Sequence, residues 1–174
     1  MLFAIDLQND YFDPKGKFYI PSAEGIKKRL VDRLQRAVDT GEIIAYTKNI
    51  YPEDEYRERS AEVIQWAEDI YPAFKALLRQ AEKFEKIHYG IAPEEALKFR
   101  TKFEHRKADY ESIEFIGVET NVCVLSNVII VQNIFPDSGL KISPERTAAS
   151  DPELHRQAIN TLAGLKVEVL THES

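Results

Sequence analysis

The sequence contains little glycine and a single cysteine, and both scarcities exclude classes of protein. It has 7 glycines among 174 residues. No two have the spacing of a G-x-G-x-x-G dinucleotide turn, a G-x-x-x-x-G-K phosphate loop or a G-x-S-x-G elbow. The one cysteine, Cys123, cannot form an intramolecular disulfide, and the histidines lack the H-E-x-x-H spacing of a zinc site. The usual signatures of nucleotide binding, serine hydrolysis and structural zinc are therefore missing.

Positive charge and long hydrophobic runs are scarce as well. Lysine and arginine number 23 against 29 aspartates and glutamates, which gives a formal net charge of -6. Nucleic acids and anionic membranes attract basic surfaces, so this balance argues against both as partners. The first apolar run, MLFAI, meets Asp6 too early for a signal peptide. We therefore expect a cytoplasmic protein whose partner is a small-molecule substrate.

What remains is the composition of an ordinary globular protein, with 44% hydrophobic and 30% charged residues. No repeat or linker interrupts it, so we expect residues 1–174 to form a single domain. Short apolar runs alternate with longer amphipathic stretches, which is typical of strands interleaved with helices. The predicted strands are 2–5, 42–47, 85–89, 113–118, 140–142 and 166–170. The predicted helices run from Ser22 to Gly41, through most of 57–80 with a break at Pro72, and over 93–103, 121–135 and 152–164.

This order of elements predicts an α/β fold. Strands joined through helices give a mostly parallel sheet, because right-handed crossovers place a helix over the sheet each time. We expect a three-layer α/β/α arrangement with six strands and helices on both faces. The charged run EDEYRERSAE is interpreted as a solvated helix face.

Three residues with useful chemistry fall near the carboxyl ends of the predicted strands, where open parallel sheets bind ligands. Asp6 ends the first strand, Lys86 lies in the third, and Cys123 opens the helix that follows the fourth. A helix N-terminus and a nearby cation both lower the pKa of a thiol. Each residue alone also has a structural explanation, as a turn residue, a solvated lysine or a small buried hydrophobe. Their convergence on one edge of the sheet favours a catalytic site.

These segments resemble a known family, the isochorismatase-like cysteine hydrolases, which include nicotinamidases and N-carbamoylsarcosine amidohydrolases. The resemblance rests on FAIDLQNDYF, on a lysine at the end of the third strand, and on GVETNVCV followed by a helix containing VQN. It covers nearly the whole chain, and GVETNVCV is its most specific part. The resemblance implies the family's α/β fold and a catalytic triad of Asp6, Lys86 and Cys123.

The resemblance also implies roles for backbone groups and an assembly state. In such enzymes the cysteine attacks a carbonyl, the aspartate moves the proton, and the lysine stays near both. A cis peptide bond is implied between Val118 and Glu119, with the backbone N–H groups of Glu119 and Cys123 forming an oxyanion hole. Relatives are commonly homodimers or homotetramers, so we expect one of these assemblies.

The sequence departs from the resemblance at the metal site. Metal-bearing nicotinamidases have a D-x-H-P pattern after the second strand and a further histidine downstream. Here the matching stretch reads KNIYPED, which puts Asn49 and Tyr51 at the first two positions, and the third falls near Asp69. Neutral asparagine and tyrosine are poor zinc ligands. We therefore predict no metal and no other cofactor, and nicotinamide becomes a doubtful substrate.

Aromatic residues are the candidates for substrate contact, although each could instead pack in the core. They are Tyr11, Phe12, Trp66 and Tyr89. The histidines are interpreted as structural: His88 as partly buried on the strand face of Lys86, and His105, His155 and His172 as surface residues.

The function predicted from these residues is hydrolysis of a C–N bond in a small amide or ureide through a cysteine thioester. One alternative is isochorismatase-type hydrolysis of a vinyl ether, in which Asp6 protonates the substrate and no covalent step occurs. Members of that type usually lack the nucleophilic cysteine. Another alternative is a non-catalytic relative that keeps the fold.

Overall fold

The structure of the protein, a computed structural model, describes residues 1–171. These residues contain one six-stranded sheet in which every paired strand runs parallel to its neighbour, in the order β3-β2-β1-β4-β5-β6. The strands are β1 (Leu2–Ile5), β2 (Ile44–Asn49), β3 (Glu82–Lys86), β4 (Ser112–Val118), β5 (Gly139–Ala148) and β6 (Glu168–Val169). The predicted six-stranded α/β fold is confirmed, with a sheet that is parallel throughout.

Helices connect the strands. The α-helices are α1 (Asn9–Phe12), α2 (Lys27–Asp39), α3 (Glu55–Glu58), α4 (Ala61–Glu68), α5 (Pro72–Lys75), α6 (Pro93–Phe103), α7 (Leu125–Ile134) and α8 (Pro152–Gly164). Two 3₁₀ segments, Pro21–Ile26 and Glu104–Asp109, and a π-helical turn, Thr120–Val124, complete the described part of the chain. No helix within residues 1–171 combines the length and apolar character needed to cross a membrane.

Both faces of the sheet are covered, which explains why β1 is buried at every position. Phe3 and Ile5 point to one side, where they join a core with residues of α6, α7 and α8. Leu2 and Ala4 point to the other side and join a second core with α2 and α5. The alternation of strand side chains thus divides the apolar residues between two layers.

Several predicted boundaries were wrong. The first predicted helix does not begin at Ser22, because α2 begins at Lys27. Ser22 lies inside the first 3₁₀ segment, and its hydroxyl donates to the carbonyl oxygen of Ala149. Region 57–80 is divided into short helices, and Pro72 begins one of them instead of interrupting a longer helix. Strand β3 ends at Lys86, so His88 and Tyr89 lie beyond it. The position of His172 lies outside the described residues.

A glycine brings the central strands together beside the site. Gly117 has a φ of +112°, and a Cβ atom at this position would stand 2.1 Å from the carbonyl oxygen of Ile5. Ile5 is the residue that pairs with Gly117 across β1 and β4, and it directly precedes Asp6. A side chain here would therefore push apart the two strands that lead into the site.

We expect Gly117→Ala to lower the free energy of unfolding by about 3 kcal/mol, because it adds both backbone strain and a clash with main-chain atoms. Urea unfolding followed by circular dichroism measures this change. Gly25→Ala is the matched control: no atom lies within 4 Å of the added Cβ, so its effect should stay within about 1 kcal/mol. Equal effects of the two substitutions would contradict the close approach of Gly117 to Ile5.

Candidate active site

The side chains of Asp6, Lys86 and Cys123 meet at the carboxyl ends of the strands. Lys86 Nζ lies 2.7 Å from Asp6 Oδ2 and donates to Cys123 Sγ over 3.5 Å. These residues come from the end of β1, the end of β3 and the turn after β4. The structure thus brings together the three residues that sequence analysis singled out at this edge.

Strand β2 lies between β1 and β3 and supplies the groups that orient the cluster. The hydroxyl of Thr47 donates to Asp6 Oδ1 over 2.6 Å, and the amide oxygen of Asn49 accepts from Lys86 Nζ over 3.2 Å. Lys86 Nζ also donates to the carbonyl oxygen of His88 over 2.9 Å. With Oδ1 of Asp6 held by Thr47, Oδ2 is the oxygen that faces the lysine.

The backbone at Asp6 turns sharply as it leaves β1. Its φ is +51°, a left-handed conformation that aspartate and asparagine adopt more readily than most residues. Its N–H donates to the hydroxyl of Thr47 over 3.1 Å. Aspartate is therefore a residue type suited to this backbone conformation, and the hydrogen bond to Thr47 holds the backbone of Asp6 where its carboxylate lies in the site.

Cys123 lies in the π-helical turn that precedes α7. The predicted helix start at this position is correct, although its first turn is wider than an α-helical turn. Such π segments occur frequently at functional sites. The structure also has the predicted cis peptide bond between Val118 and Glu119.

Residues of α8 and of the segment between β5 and α8 hydrogen-bond to this turn. The Glu119 carboxylate accepts hydrogen bonds from the backbone N–H and the hydroxyl of Ser150. The hydroxyl of the buried Thr120 lies 2.8 Å from Nδ1 of His155. His155 is half-buried, so its interpretation as a surface residue was wrong, and its burial lowers the pKa of the imidazole. His105, by contrast, is exposed as predicted.

The environment of Cys123 favours the protonated thiol. Burial raises its pKa to about 12, the negative charge of Asp6 acts in the same direction, and the positive charge of Lys86 opposes both without compensating them. Burial favours the neutral form of Lys86 as well, but Asp6 and Cys123 outweigh it and raise the pKa of the amine. The expectation of a lowered thiol pKa was therefore wrong, because a helix start and a cation do not outweigh burial beside a carboxylate.

The raised pKa predicts slow alkylation of Cys123. Compared with a free thiol of pKa about 8.5, the thiolate fraction at neutral pH falls by about three orders of magnitude. A more basic thiolate is also more nucleophilic, and this offsets about half of the decrease in alkylation rate on a logarithmic scale. We expect iodoacetamide to react about 50-fold more slowly with the folded protein than with the same protein in denaturant. The rate should keep rising with pH above 9, and a plateau near pH 8.5 would contradict the raised pKa.

A cavity of about 350 Å³ opens beside Cys123. Of the four aromatic residues predicted to contact substrate, Tyr11 and Tyr89 line it. Phe12 does not: it is fully buried in the core, where its ring packs 5.1 Å from that of Phe74. Trp66 also lies outside the lining, half-buried on α4 in the small cluster around Tyr51. We therefore withdraw Phe12 and Trp66 as substrate contacts.

The cavity has further walls that sequence analysis did not assign to substrate. Phe18 and Tyr51 both line it, and their rings stack with centroids 6.0 Å apart. His88 lines it too, and its side chain is exposed, which corrects its interpretation as partly buried. Phe18 follows α1 by six positions in an irregular segment, so no periodic pattern could indicate its direction.

The residues at the expected metal positions do not form a zinc site. The Asn49 amide oxygen accepts from Lys86, and the Tyr51 hydroxyl donates to Asp10. Asp69 accepts from the N–H of Ile70 and pairs with Lys75 away from the cavity. No cluster of three or more histidine, cysteine, aspartate or glutamate side chains among residues 1–171 is arranged to hold a metal ion. These residues do not fit zinc, and the prediction that the protein binds no metal awaits measurement.

Comparison with known proteins assigns the family. The family profile described as the isochorismatase domain matches residues 1–174. The chain belongs to the isochorismatase family. Proteins of this family are generally hydrolytic enzymes. A comparison of the sequence with curated proteins gave no match.

Solved structures of this family have the same fold. The pyrazinamidase/nicotinamidase of Streptococcus mutans is 22% identical, with a TM-score of 0.79 over 97% of this chain and 98% of that chain. An isochorismatase-like hydrolase of Alkaliphilus metalliredigens is 20% identical, with a TM-score of 0.77 over 98% and 93%. The nicotinamidase of Bacillus subtilis is 18% identical, with a TM-score of 0.79 over 98% of both chains. At these identities the similarity shows a shared fold.

Proposed function

We propose that this isochorismatase-family protein is a cysteine hydrolase that cleaves the C–N bond of a small amide or ureide. The observation that carries the proposal is the meeting of Asp6, Lys86 and Cys123 at the edge of a cavity. A thiol, a carboxylate and a cation within contact of one another supply a nucleophile, a base and a charge that stabilises both.

The raised pKa of Cys123 determines how the first step proceeds. Because the thiol is protonated at rest, Asp6 removes its proton as Sγ attacks the carbonyl carbon of the substrate. The negative charge that develops on the carbonyl oxygen is met by the backbone N–H groups of Glu119 and Cys123. Lys86 remains charged throughout and offsets the negative charge that shifts between the carboxylate and the sulfur.

The second step completes the hydrolysis. The tetrahedral intermediate collapses as Asp6 returns the proton to the leaving amine, and the C–N bond breaks to leave a thioester on Cys123. The Asp6 carboxylate then takes a proton from water as the water oxygen attacks the thioester carbon. The C–S bond breaks, and Asp6 gives the proton to the departing Sγ. Release of the acid restores the thiol, so the balance is amide plus water to carboxylic acid plus amine.

A screen of small amides and ureides tests this function, with released ammonia as the readout. Acid quench followed by intact-mass measurement should detect an acyl adduct on Cys123. Hydrolysis of a vinyl ether without an adduct would contradict the proposal in favour of proton transfer by Asp6 alone. A panel with no turnover would favour a non-catalytic relative. The homodimer or homotetramer implied by the resemblance stays a prediction, which light scattering can check.

A further inference from the structure

Asn127, on α7, is a buried asparagine whose side chain bonds to two separate parts of the site. It is completely buried. Its Nδ2 atom donates to the carbonyl oxygen of Cys123 over 2.7 Å and to that of Tyr89 over 3.1 Å. Its Oδ1 atom accepts from the backbone N–H of Ile91 over 3.0 Å. Both the NH₂ group and the oxygen of the amide are thus engaged, and they join the turn of Cys123 to the segment that follows β3.

The orientation of this amide is fixed by the chemistry of its partners. Both partners of Nδ2 are carbonyl oxygens, and the partner of Oδ1 is an N–H group. An amide rotated by 180° would place oxygen against oxygen and lose all three bonds. A buried carbonyl or N–H group that loses its partner destabilises the fold, so the amide of Asn127 has one favourable arrangement.

The link made by Asn127 joins strands that are not neighbours. Lys86 ends β3, and Cys123 lies in the turn after β4. Strands β2 and β1 lie between β3 and β4, which are therefore about 14 Å apart across the sheet. Strand pairing between β3 and β4 cannot set the contact of 3.5 Å between Lys86 Nζ and Cys123 Sγ. A link outside the sheet can fix this contact, and Asn127 supplies one.

The segment held by Asn127 also positions the amine. The carbonyl oxygen of His88, at the start of this segment, accepts from Lys86 Nζ over 2.9 Å. Close packing keeps the segment against α7, since a Cβ atom at Gly90 would stand 2.4 Å from Cδ1 of Ile130. A shift of the segment relative to α7 would therefore move the amine relative to the sulfur.

We propose that Asn127 is a positioning residue, which keeps the amine of Lys86 in contact with the sulfur of Cys123 by linking the segments that follow β3 and β4. Asn127 acts through these two residues, because it does not itself line the cavity. Its effect on turnover rests on the proposed function, whereas its effect on the charge beside the sulfur does not.

Two alkylating reagents of similar size test the position of the amine without any substrate. Iodoacetate is an anion, iodoacetamide is neutral, and Cys123 is the only cysteine in the chain. The ratio of their rate constants cancels the thiolate fraction and the access to the sulfur, and leaves the effect of nearby charge. For Asn127→Ala we expect this ratio to fall at least about threefold, because the cation moves away and the carboxylate of Asp6 repels the anion. Mass measurement of the alkylated protein at pH 9 gives both rates.

Asn127→Ser separates the link from a bond within the helix. A serine hydroxyl can donate to the carbonyl oxygen four residues earlier, that of Cys123, but it is too short to reach the segment after β3 as well. We expect Asn127→Ser to lower the reagent ratio as much as Asn127→Ala does. Restoration of the wild-type ratio by serine would overturn the inference, because the bond within the helix would then be sufficient. Asn127→Thr makes the same bond and fills more space, so it replaces serine if the smaller side chain prevents folding.

Asn133→Ala is the matched control. Asn133 lies on the same helix and donates to the carbonyl oxygen of Ile129, four residues earlier, over 2.7 Å. It is exposed, and this bond stays within α7. The reagent ratio of Asn133→Ala should remain within about twofold of the wild-type value. A decrease as large as that of Asn127→Ala would overturn the inference. Circular dichroism checks that each variant is folded.

Turnover gives the second readout and separates this inference from the proposed function. We expect kcat for amide hydrolysis to fall at least about tenfold in both Asn127 variants and KM to change by a smaller factor, because a misplaced charge affects the transition state more than the bound substrate. A lowered reagent ratio in a protein that releases no ammonia would support the inference and contradict amide hydrolysis. Hydrolysis by Asn127→Ala with an unchanged ratio and an unchanged kcat would support amide hydrolysis and overturn the inference.

Discussion

Replacing Cys123 by alanine should abolish turnover and leave the fold intact. The substitution removes the only nucleophilic sulfur in the chain, so we expect the rate of amide hydrolysis to fall by at least about a thousandfold. The side chain is small and borders the cavity, so the free energy of unfolding should change by less than about 2 kcal/mol. Ammonia release and a urea unfolding curve measure the two effects on the same preparation.

Two further variants make this result specific to the sulfur. Cys123→Ser keeps the geometry but replaces the thiol by a hydroxyl that is harder to ionise, so it should be almost as inactive as the alanine variant. Ser126→Ala, at the start of α7 three residues after Cys123 and also half-buried, is the matched control and should retain activity within about twofold. Retention of more than a tenth of the activity by Cys123→Ala would exclude a covalent mechanism and favour proton transfer from Asp6.

The sheet could be predicted because its determinants are local and repeated. The four apolar residues of β1 and the Asp151-Pro152 start of α8 specify their elements within a few positions. The short helices between β2 and β3 could not be divided correctly, because four-residue segments contain too little periodic signal. The convergence of Asp6, Lys86 and Cys123 followed from parallel topology alone, since all three positions adjoin the carboxyl ends of strands.

Properties that depend on burial could not be predicted in the same way. The pKa of Cys123 was expected to fall, because its sequence neighbours reveal a helix start but not the enclosure of the sulfur. Tyr11 and Phe12 are adjacent in sequence, yet one lines the cavity and the other lies in the core. Arg59 was interpreted as part of a solvated charged face, whereas its side chain is only 9% exposed against Asp10. The burial of Arg59 results from contact between its own segment after β2 and α1, which carries Asp10, and no pattern within either segment predicts that contact.

Replacing Asp6 by asparagine should change two measurable rates in opposite directions. Without the carboxylate no base removes the proton of the thiol, so amide hydrolysis should fall by about a hundredfold to ten thousandfold. The same substitution removes a charge that raises the pKa of Cys123 and leaves Lys86 as its charged neighbour. The pKa of the thiol should therefore decrease, and alkylation by iodoacetamide should become faster than in the wild-type protein.

Asparagine is a suitable substitute because it tolerates the left-handed backbone conformation at this position, and its amide oxygen can accept from Thr47. Asp13→Asn is the matched control: Asp13 is a turn residue after α1 whose carboxylate accepts from the N–H of Lys15, and both rates should stay unchanged. A merely structural role for Asp6 would slow hydrolysis without accelerating alkylation through a lower thiol pKa. Slower alkylation of the Asp6→Asn protein would therefore contradict the assignment of Asp6 as the base that faces a protonated thiol.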